Sequence, residues 1–201
     1  DPPHHTPTPT RALVGAGAAL RQSVLALRAR LARIETEVIV DGENAEVALN
    51  GVYLANAGRH ADLTSRVVHQ VGHGKTRQLI RGAVRAGGRG VFQGKILVAQ
   101  GAQKTDAEQH HDALLLEEGA EVNAKPELEI YADDVSCAHG NTAGALDESA
   151  LFYMRARGIP KAIAQALLTE AFLRAAIPDW LPEPAAEEVT ARIAAWLEVG
   201  P

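Results

Sequence analysis

Short segments of alternating apolar and polar residues, repeated along the N-terminal part of the chain, constrain the fold most strongly. They recur roughly every 10 to 16 residues, with Gly, Asn or Asp between them, a spacing typical of short strands separated by turns. The alternation is clearest at residues 92–98 and 128–132. Because successive side chains of a strand point to opposite faces, these segments are predicted to be half-buried strands, and the region before residue 146 is predicted to be all-β.

One segment changes phase in its middle. Val47 and Leu49 alternate with polar residues, but Val52 and Leu54 resume in the opposite phase after Asn50-Gly51. A slip of one residue exchanges the two faces of a strand, so we predict a turn or a bulge at this dipeptide. A hairpin would favour such a turn, whereas a parallel β-helix would stack short strands into coils. Periodicity leaves the choice between a β-sandwich and a β-helix open.

Residues 11–33 give conflicting signals. Ala, Leu and Arg dominate, and helix propensity favours a helix from about Leu20 to Ile34. Gly15 and Gly17 interrupt the start of such a helix. The residues alone therefore permit either a helix or strands here.

Helical patterns begin after residue 146. Asp147 can cap a first helix that Gly158 ends, and Pro160 suits the first position of a second helix. Apolar residues at helical spacing form a stripe along that second helix: Ile163, Leu167, Leu168, Ala171, Phe172 and Ala175. A third helix is predicted from about Pro184 to Glu198. Three short helices are too small to fold without something to pack on.

Charge and cysteine content exclude several classes of function. The net charge is −5 with both signs interspersed, which argues against nucleic-acid binding because that requires a basic face. No apolar run approaches the roughly 20 residues that span a bilayer, so no membrane association is expected. Cys137 is the only cysteine, which excludes an intrachain disulfide and favours a reducing compartment.

Cys137 and His139 form the main candidate site. On a strand the two side chains lie on the same side, and a thiolate near an imidazole can bind iron or another soft metal. The alternative is a buried cysteine and a hydrogen-bonding histidine at a turn before Gly140. Two ligands are too few for a closed metal site, so the residues alone favour this second interpretation.

Three further groups of polar residues are candidates for a functional role. Four histidines are interpreted as surface residues rather than metal ligands: His69, His73, His110 and His111. Four arginines on one face are interpreted as solvated, or as contacts for acidic groups or a partner: Arg77, Arg81, Arg85 and Arg89. Four carboxylates would suit a β-helix enzyme acting on polysaccharides: Asp106, Glu129, Asp133 and Asp134. Adjacent aspartates on a strand point to opposite faces, however, so Asp133 and Asp134 cannot act as a simple pair.

A series of motifs over residues 36–177 occurs in a specific order. It comprises Gly90-Val91-Phe92-Gln93-Gly94-Lys95-Ile96, Ala102-Gln103-Lys104-Thr105-Asp106 with Gln109, Leu114-Leu115-Leu116, Ala120-Glu121-Val122, Lys125-Pro126-Glu127-Leu128-Glu129-Ile130-Tyr131-Ala132-Asp133-Asp134-Val135, Cys137-Ala138-His139-Gly140, Gly144, Leu146-Asp147, Leu151-Phe152-Tyr153 and Arg157-Gly158-Ile159. This order resembles the SufB/SufD family of iron–sulfur cluster assembly proteins, and the run from Lys125 to Gly140 resembles its SufD branch.

The resemblance implies a mainly β protein: a right-handed parallel β-helix over residues 1–146, with an irregular start at 1–10, and a small C-terminal α-helical subdomain over 147–201. It makes residues 11–33 rungs of the β-helix, so strands are favoured there. It implies a cytoplasmic scaffold, not an enzyme, that pairs with SufB through the end of the β-helix and docks the ATPase SufC on its helices.

The same resemblance assigns residues to these roles. His139 would be the metal-binding, cluster-site residue at the SufB interface, accompanied by Cys137. Phe152, Leu168 and Phe172 are the candidates for docking SufC. No cofactor would be held tightly by this chain alone, and only iron or an iron–sulfur cluster would bind transiently at the SufB interface. The alternatives are a β-helix enzyme that acts on polysaccharides and a purely structural homodimer.

Overall fold

Ten strands and then three helices follow one another along the described part of the chain. The computed structural model describes residues 8–27 and 29–198. The elements are β1 (Thr8–Val14), β2 (Ala19–Ala26), β3 (Leu31–Val40), β4 (Glu46–Ala55), β5 (His60–His69), β6 (Lys75–Val84), β7 (Arg89–Val98), β8 (Asp106–Leu115), β9 (Glu121–Ile130), β10 (Ser136–Gly144), α1 (Glu148–Ala156), α2 (Lys161–Arg174) and α3 (Glu183–Glu198). Of the irregular start predicted over residues 1–10, residues 1–7 lie outside the described residues, and Thr8 already begins β1.

The strands alternate between two parallel sheets. One sheet has the order β1-β3-β5-β7-β9 and the other the order β10-β8-β6-β4-β2. Each consecutive pair of strands is therefore one turn of a coil, and the described chain forms five turns. This arrangement confirms the predicted parallel β-helix and excludes the sandwich. Residues 11–33 lie in β1, β2 and the start of β3, so the prediction of strands there is also confirmed.

The turn or bulge predicted at Asn50-Gly51 is wrong. These residues lie in the middle of β4, which pairs with β6 in unbroken register. Val47 and Leu49 face the interior of the β-helix, whereas Val52 and Leu54 point outward and are covered by the C-terminal helices. The change of phase therefore reflects the burial of both faces of this strand.

The space between the two sheets is filled mostly by small aliphatic side chains. Val38, Val40, Val67 and Ile96 are fully buried there. Tyr53 also lies inside, and it fits only because the neighbouring residue in β6 is glycine: a Cβ atom added to Gly82 would lie 1.9 Å from Tyr53 Cζ. The Tyr53 ring occupies the space that a side chain at position 82 would otherwise fill, and the interior stays densely packed.

The helices begin and end close to the predicted positions. A side-chain oxygen of Asp147 accepts a hydrogen bond from the backbone N–H of Ser149 at 2.8 Å and caps α1. Gly158 follows α1 with a φ of 84°, which suits glycine. Pro160 is the N-cap of α2 rather than its first helical residue. None of the helices in the described part is long and apolar enough to cross a membrane.

The helices pack on the outer face of the sheet that contains β4, β6 and β8. Leu173, Ala176, Ile193 and Trp196 form a cluster with outward-facing residues of these strands: Val52, Leu54, Ala83 and Leu114. Two arginines, Arg81 in β6 and Arg85 directly after this strand, reach over aromatic rings of the helices. The Arg81 guanidinium lies 4.7 Å from the centre of the Phe172 ring, and that of Arg85 lies 4.4 Å from the centre of the Trp196 ring. These contacts fix the helices to the β-helix.

The apolar stripe of α2 is only partly buried. Ile163 and Leu167 are 52% and 46% exposed, whereas Ala164 and Leu173 are completely buried. Apolar residues occur around much of this helix, and the small side chain of Ala164 allows close approach on one side. The division of the chain into units 1–146 and 147–201 stays a prediction.

Candidate functional site

The last turn of the β-helix, formed by β9 and β10, has inward-facing side chains that no further strand covers. Each of these strands ends its sheet, so one edge of each is unpaired within the described residues. The inward-facing residues continue the buried columns below them. In β9 they are Val122, Ala124, Pro126 and Leu128, whose ladder neighbours in β7 are Gly90, Phe92, Gly94 and Ile96 in the same order. In β10 they are Cys137, His139 and Asn141, whose ladder neighbours in β8 are Ala107, Gln109 and His111.

The degree of exposure changes sharply at this turn. The ladder neighbours in β7 and β8 are all buried. In the last turn, the four inward-facing residues of β9 are half-buried, as is Cys137 of β10, whereas His139 and Asn141 are exposed. The end of the β-helix is therefore a mixed surface, apolar along β9 and polar along β10.

His139 lies between two anchored neighbours on the inward face of β10. On one side, Cys137 packs against the interior cluster. On the other, Asn141 Oδ1 lies 2.7 Å from His111 Nδ1, and His111 Nε2 lies 2.9 Å from the buried Tyr53 hydroxyl. Contacts on both sides hold β10 in register, so the imidazole of His139 is presented at the end of the β-helix from a fixed strand.

His111 is itself completely buried. Its ring stacks on that of Phe92, with centroids 4.7 Å apart and planes within 4°. Burial lowers its pKa from the usual value, while the hydrogen bond to Asn141 opposes that shift. His69 is likewise fully buried, with Nε2 2.8 Å from the Thr76 hydroxyl, and burial lowers its pKa to about 4.

The interpretation of all four histidines as surface residues is therefore wrong for two of them. His69 and His111 are completely buried, whereas His73 and His110 are exposed. The physical reason is that the interior supplies a polar partner to each buried ring. Alternation in β8 gave a usable signal, since His111 follows the inward-facing Ala107 and Gln109 at intervals of two residues.

Cys137 is the more enclosed of the two candidate ligands. Its thiol is free and half-buried, next to Ala107 of the preceding turn. Burial raises the pKa of this thiol, which disfavours the thiolate form that binds metals. The imidazole of His139, being exposed, is the better placed donor.

The donor set of this chain suits part of a metal or cluster site. Among residues 8–27 and 29–198, no group of three or more His, Cys, Asp and Glu side chains could hold a metal ion. A tetrahedral site needs four ligands. His139 and Cys137 could therefore supply at most a part of such a site, and other ligands would have to come from outside the described chain.

Three of the four candidate carboxylates are held in separate ion pairs. Asp106 lies 2.5 Å from Arg77, and this hydrogen bond lowers the pKa of its carboxyl group. Glu129 pairs with Lys95 and Asp134 with Lys104. These carboxylates are each neutralised by a different cation, as part of ladders that join neighbouring turns.

The four arginines pair with acidic groups of the neighbouring turn. Arg77 contacts Asp106 and Glu108. The other pairs are Arg81 with Asp112, Arg85 with Glu117 and Arg89 with Glu121. Of the two interpretations of these arginines, the structure supports contact with acidic groups, and these groups belong to the same chain.

The three predicted docking residues lie in different environments. Phe152 of α1 is 74% exposed. Leu168 is half-buried, and Phe172 is half-buried beneath Arg81, which also donates a hydrogen bond to the Phe172 carbonyl at 2.7 Å. An apolar groove of about 400 Å³ lies between α2 and α3, lined by residues that include Ile163, Leu167, Ala194 and Leu197.

Comparison with known proteins identifies relatives of this fold. Residues 4–172 match the family described as "SUF system FeS cluster assembly, SufBD core domain". The chain is 38% identical over 161 residues to "Iron-sulfur cluster assembly protein SufD" of Escherichia coli (strain K12), covering 80% of this chain and 38% of that protein.

A cyanobacterial relative, "Iron-sulfur cluster assembly SufBD family protein slr0076" of Synechocystis sp. (strain ATCC 27184 / PCC 6803 / Kazusa), is 36% identical over 73% of this chain and 32% of its own length. "Protein ABCI7, chloroplastic" of Arabidopsis thaliana is 42% identical over 55% of this chain and 24% of its own. The chain thus spans well under half the length of these relatives. With the family match extending over most of its residues, the chain belongs to the SufBD family of iron–sulfur cluster assembly proteins.

Proposed function

We propose that this chain is a scaffold component of the SUF iron–sulfur assembly machinery rather than an enzyme. It pairs with a SufB homologue through the last turn of its β-helix and docks a SufC homologue on its helices. The observation that carries this proposal is the uncovered inward face of β9 and β10. A reducing, cytoplasmic location agrees with the single free thiol of Cys137.

The end of the β-helix has the features of a protein interface. Val122, Ala124 and Leu128 present a half-buried apolar row, and covering it with a partner would remove this surface from water. The unpaired edges of β9 and β10 offer backbone donors and acceptors to a partner strand. A second β-helix stacked end to end would satisfy both requirements.

Within this interface His139 is the proposed ligand for iron or a nascent cluster, which is the cargo of the assembly. An imidazole nitrogen is a suitable donor for iron, and His139 is exposed on the face that the partner would cover. Cys137 is the weaker candidate, because burial raises its thiol pKa. The remaining ligands would be supplied by the partner, and no cofactor would stay bound to this chain alone.

SufC docking is proposed for the exposed surface of the helices. Ile163 and Leu167 are large, exposed apolar side chains beside the groove between α2 and α3. Of the docking residues predicted from the sequence, Phe152 is well exposed and remains a strong candidate. Phe172 has weaker support, because its ring already contacts Arg81.

Reconstitution with the partners tests the cluster-site role. This chain is copurified with its SufB and SufC homologues, and iron and sulfide are measured after anaerobic reconstitution. His139→Ala is expected to lower the cluster content at least severalfold while the complex still forms. His110→Ala is the matched control, because His110 is an exposed histidine on the adjacent strand β8. Equal cluster content in His139→Ala and the unmodified chain would refute the assignment.

A second variant pair tests the helical docking surface. Leu167→Asp places a charge in the groove between α2 and α3 and is expected to abolish retention of SufC. Ala171→Asp lies on the same helix, is also exposed, and is not among the groove residues, so it should retain SufC. If both variants retain SufC, its docking site lies elsewhere.

The two alternative functions have specific expected results. A polysaccharide-acting enzyme would act on acidic glycans without partners, but three of its four candidate carboxylates are held in ion pairs with different cations. A structural homodimer would use the same uncovered turn to bind a second copy. In that case the chain would sediment as a stable dimer that does not exchange with the SufB homologue.

A further inference from the structure

A column of inward-facing polar residues runs along the sheet of even-numbered strands and ends at His139. Gln78 in β6, Gln109 in β8 and His139 in β10 are successive neighbours in the parallel ladder. Neighbouring strands lie about 4.8 Å apart, so side chains in such a column are in contact range of one another. The residue directly beneath His139 is therefore Gln109.

The two glutamines of this column differ in how their amide groups are satisfied. Gln78 is 4% exposed, and its amide both donates to Ser65 Oγ at 2.7 Å and accepts from it at 3.1 Å. Gln109 is completely buried, and its Nε2 donates to the Gly94 carbonyl at 3.2 Å. Its Oε1 is buried without a hydrogen-bond partner among the described residues.

The position of the Gln109 amide is fixed by close packing. It lies across Gly94 of the opposite sheet, where an added Cβ would come within 2.6 Å of Gln109 Oε1. The amide therefore cannot turn freely to find another donor. A buried acceptor without a partner destabilises the folded state, so a donor close by would stabilise this end of the β-helix.

His139 is the nearby donor that remains uncommitted. The ring nitrogens of His111 already contact Tyr53 and Asn141, and Ser65 and Gln78 are paired with each other. Across the described residues, the ring of His139 makes no hydrogen bond to another group. It lies on the inward face directly above Gln109, on an exposed turn where side chains change rotamer rapidly.

We propose that Gln109 is a positioning residue for His139: its Oε1 accepts a hydrogen bond from one ring N–H of His139. A neutral imidazole has one protonated nitrogen and one with a free lone pair. Fixing the proton on the inner nitrogen leaves the lone pair of the other directed at the end of the β-helix. Histidines that bind metals usually donate their second nitrogen to such an acceptor. The ligand role of the outer nitrogen rests on the function proposed above, whereas the hydrogen bond does not.

The tautomer of His139 tests this inference directly. The native chain is labelled with 15N-histidine, and long-range proton–nitrogen spectra are recorded at about pH 8.5, where imidazole side chains are neutral. We expect the two ring nitrogens of His139 to have well-separated shifts, one of a protonated and one of an unprotonated nitrogen. Gln109→Met should move both shifts toward averaged values.

Gln78→Met is the matched control, because it removes a buried amide from the same column one turn further from His139. It should leave the His139 shifts unchanged. Averaged shifts in the native chain, or separated shifts that persist in Gln109→Met, would overturn the proposal. If Gln109→Met does not fold, the native spectrum alone decides between a fixed and an averaged tautomer.

This measurement needs neither partner nor cluster, so it fails independently of the proposed function. A fixed tautomer that depends on Gln109, combined with normal cluster assembly by His139→Ala, would leave the hydrogen bond in place and refute the ligand role. An averaged tautomer, combined with loss of clusters in His139→Ala, would refute the hydrogen bond and support the ligand role.

Discussion

The middle and the last turn of the β-helix place similar residues at equivalent inward positions, with opposite consequences. In the middle, Val67 and Thr76 are completely buried and Gln78 is 4% exposed, and these residues lie in the same columns as Leu128, Cys137 and His139. In the last turn, Leu128 and Cys137 are half-buried and His139 is exposed. The strand geometry is the same in both, so the difference arises from whether another turn covers the residues. In this fold the end of the coil, rather than a loop or cleft, supplies accessible side chains held by a rigid backbone.

The outer face of the same β-helix gives a further contrast. Where the C-terminal helices cover it, outward-facing Val52 and Leu54 are buried. Where they do not, ion pairs such as Arg66–Glu37 and Arg89–Glu121 link neighbouring turns. The apolar positions of the outer face therefore mark the place where the helices pack.

The largest expected difference between the middle and the last turn is in the unfolding free energy lost when an inward-facing aliphatic residue is truncated. Ile96 is fully buried, and Leu128 follows it in the last turn, where it is half-buried. Ile96→Ala should lower the free energy of unfolding by about 2–5 kcal/mol, the usual cost of such a cavity. Leu128→Ala should cost less than half as much, because part of its surface is already in water. Urea denaturation of both variants measures this, and equal losses would mean that the last turn is as enclosed as the middle.

A buried histidine in the middle of the β-helix should make stability depend on pH. Burial lowers the folded-state pKa of His69 to about 4, below the value of about 6.5 in an unfolded chain. The unfolded state therefore binds more protons between these values, so the stabilisation is complete above about pH 6.5 and is lost as the pH falls toward 4. The full loss is about 3 kcal/mol, from 1.36 kcal/mol per pKa unit.

His69→Gln keeps a polar partner for Thr76 but does not titrate, so it isolates this contribution. The free energy of unfolding of both proteins is measured between pH 5 and 7, above the range in which most carboxylates titrate. We expect a clearly shallower slope for His69→Gln. Parallel slopes would show that His69 titrates alike in the folded and unfolded chain.

Two glycines sharpen the comparison at a smaller scale. A Cβ at Gly82 would lie 1.9 Å from the buried Tyr53 ring, whereas a Cβ at Gly140 would lie 2.7 Å from the exposed side chain of His110. Gly82→Ala should destabilise the chain by about 1–3 kcal/mol through overpacking. Gly140→Ala should have little effect, because His110 can move into solvent. Thermal unfolding compares them, and a large loss in Gly140→Ala would indicate that the last turn tolerates no rearrangement.

Part of this structure could be predicted from the sequence. Alternation located the strands, and caps such as Asp147 located the helices, since both signals are local. The change of phase before Val52 and Leu54 predicts a turn, whereas these residues are buried on the outer face of a continuous strand. The helices that cover them lie more than a hundred residues away, so the local sequence does not indicate this burial. The burial of His69 and His111 depends on partners on other strands or further along the chain. The exposure of His139 follows from the position of β10 at the end of its sheet, which pairing order alone reveals.

The affinity for the SufB homologue tests most directly the proposal that the uncovered last turn docks this partner. Leu128→Glu introduces a charge on that surface, and Leu13→Glu introduces the same charge at the opposite end of the same sheet, where Leu13 is 69% exposed. Titration calorimetry is performed with each variant after its fold has been checked by circular dichroism. We expect Leu128→Glu to weaken binding at least tenfold and Leu13→Glu to leave it unchanged. Unchanged binding by Leu128→Glu, or a loss confined to Leu13→Glu, would contradict docking at the last turn.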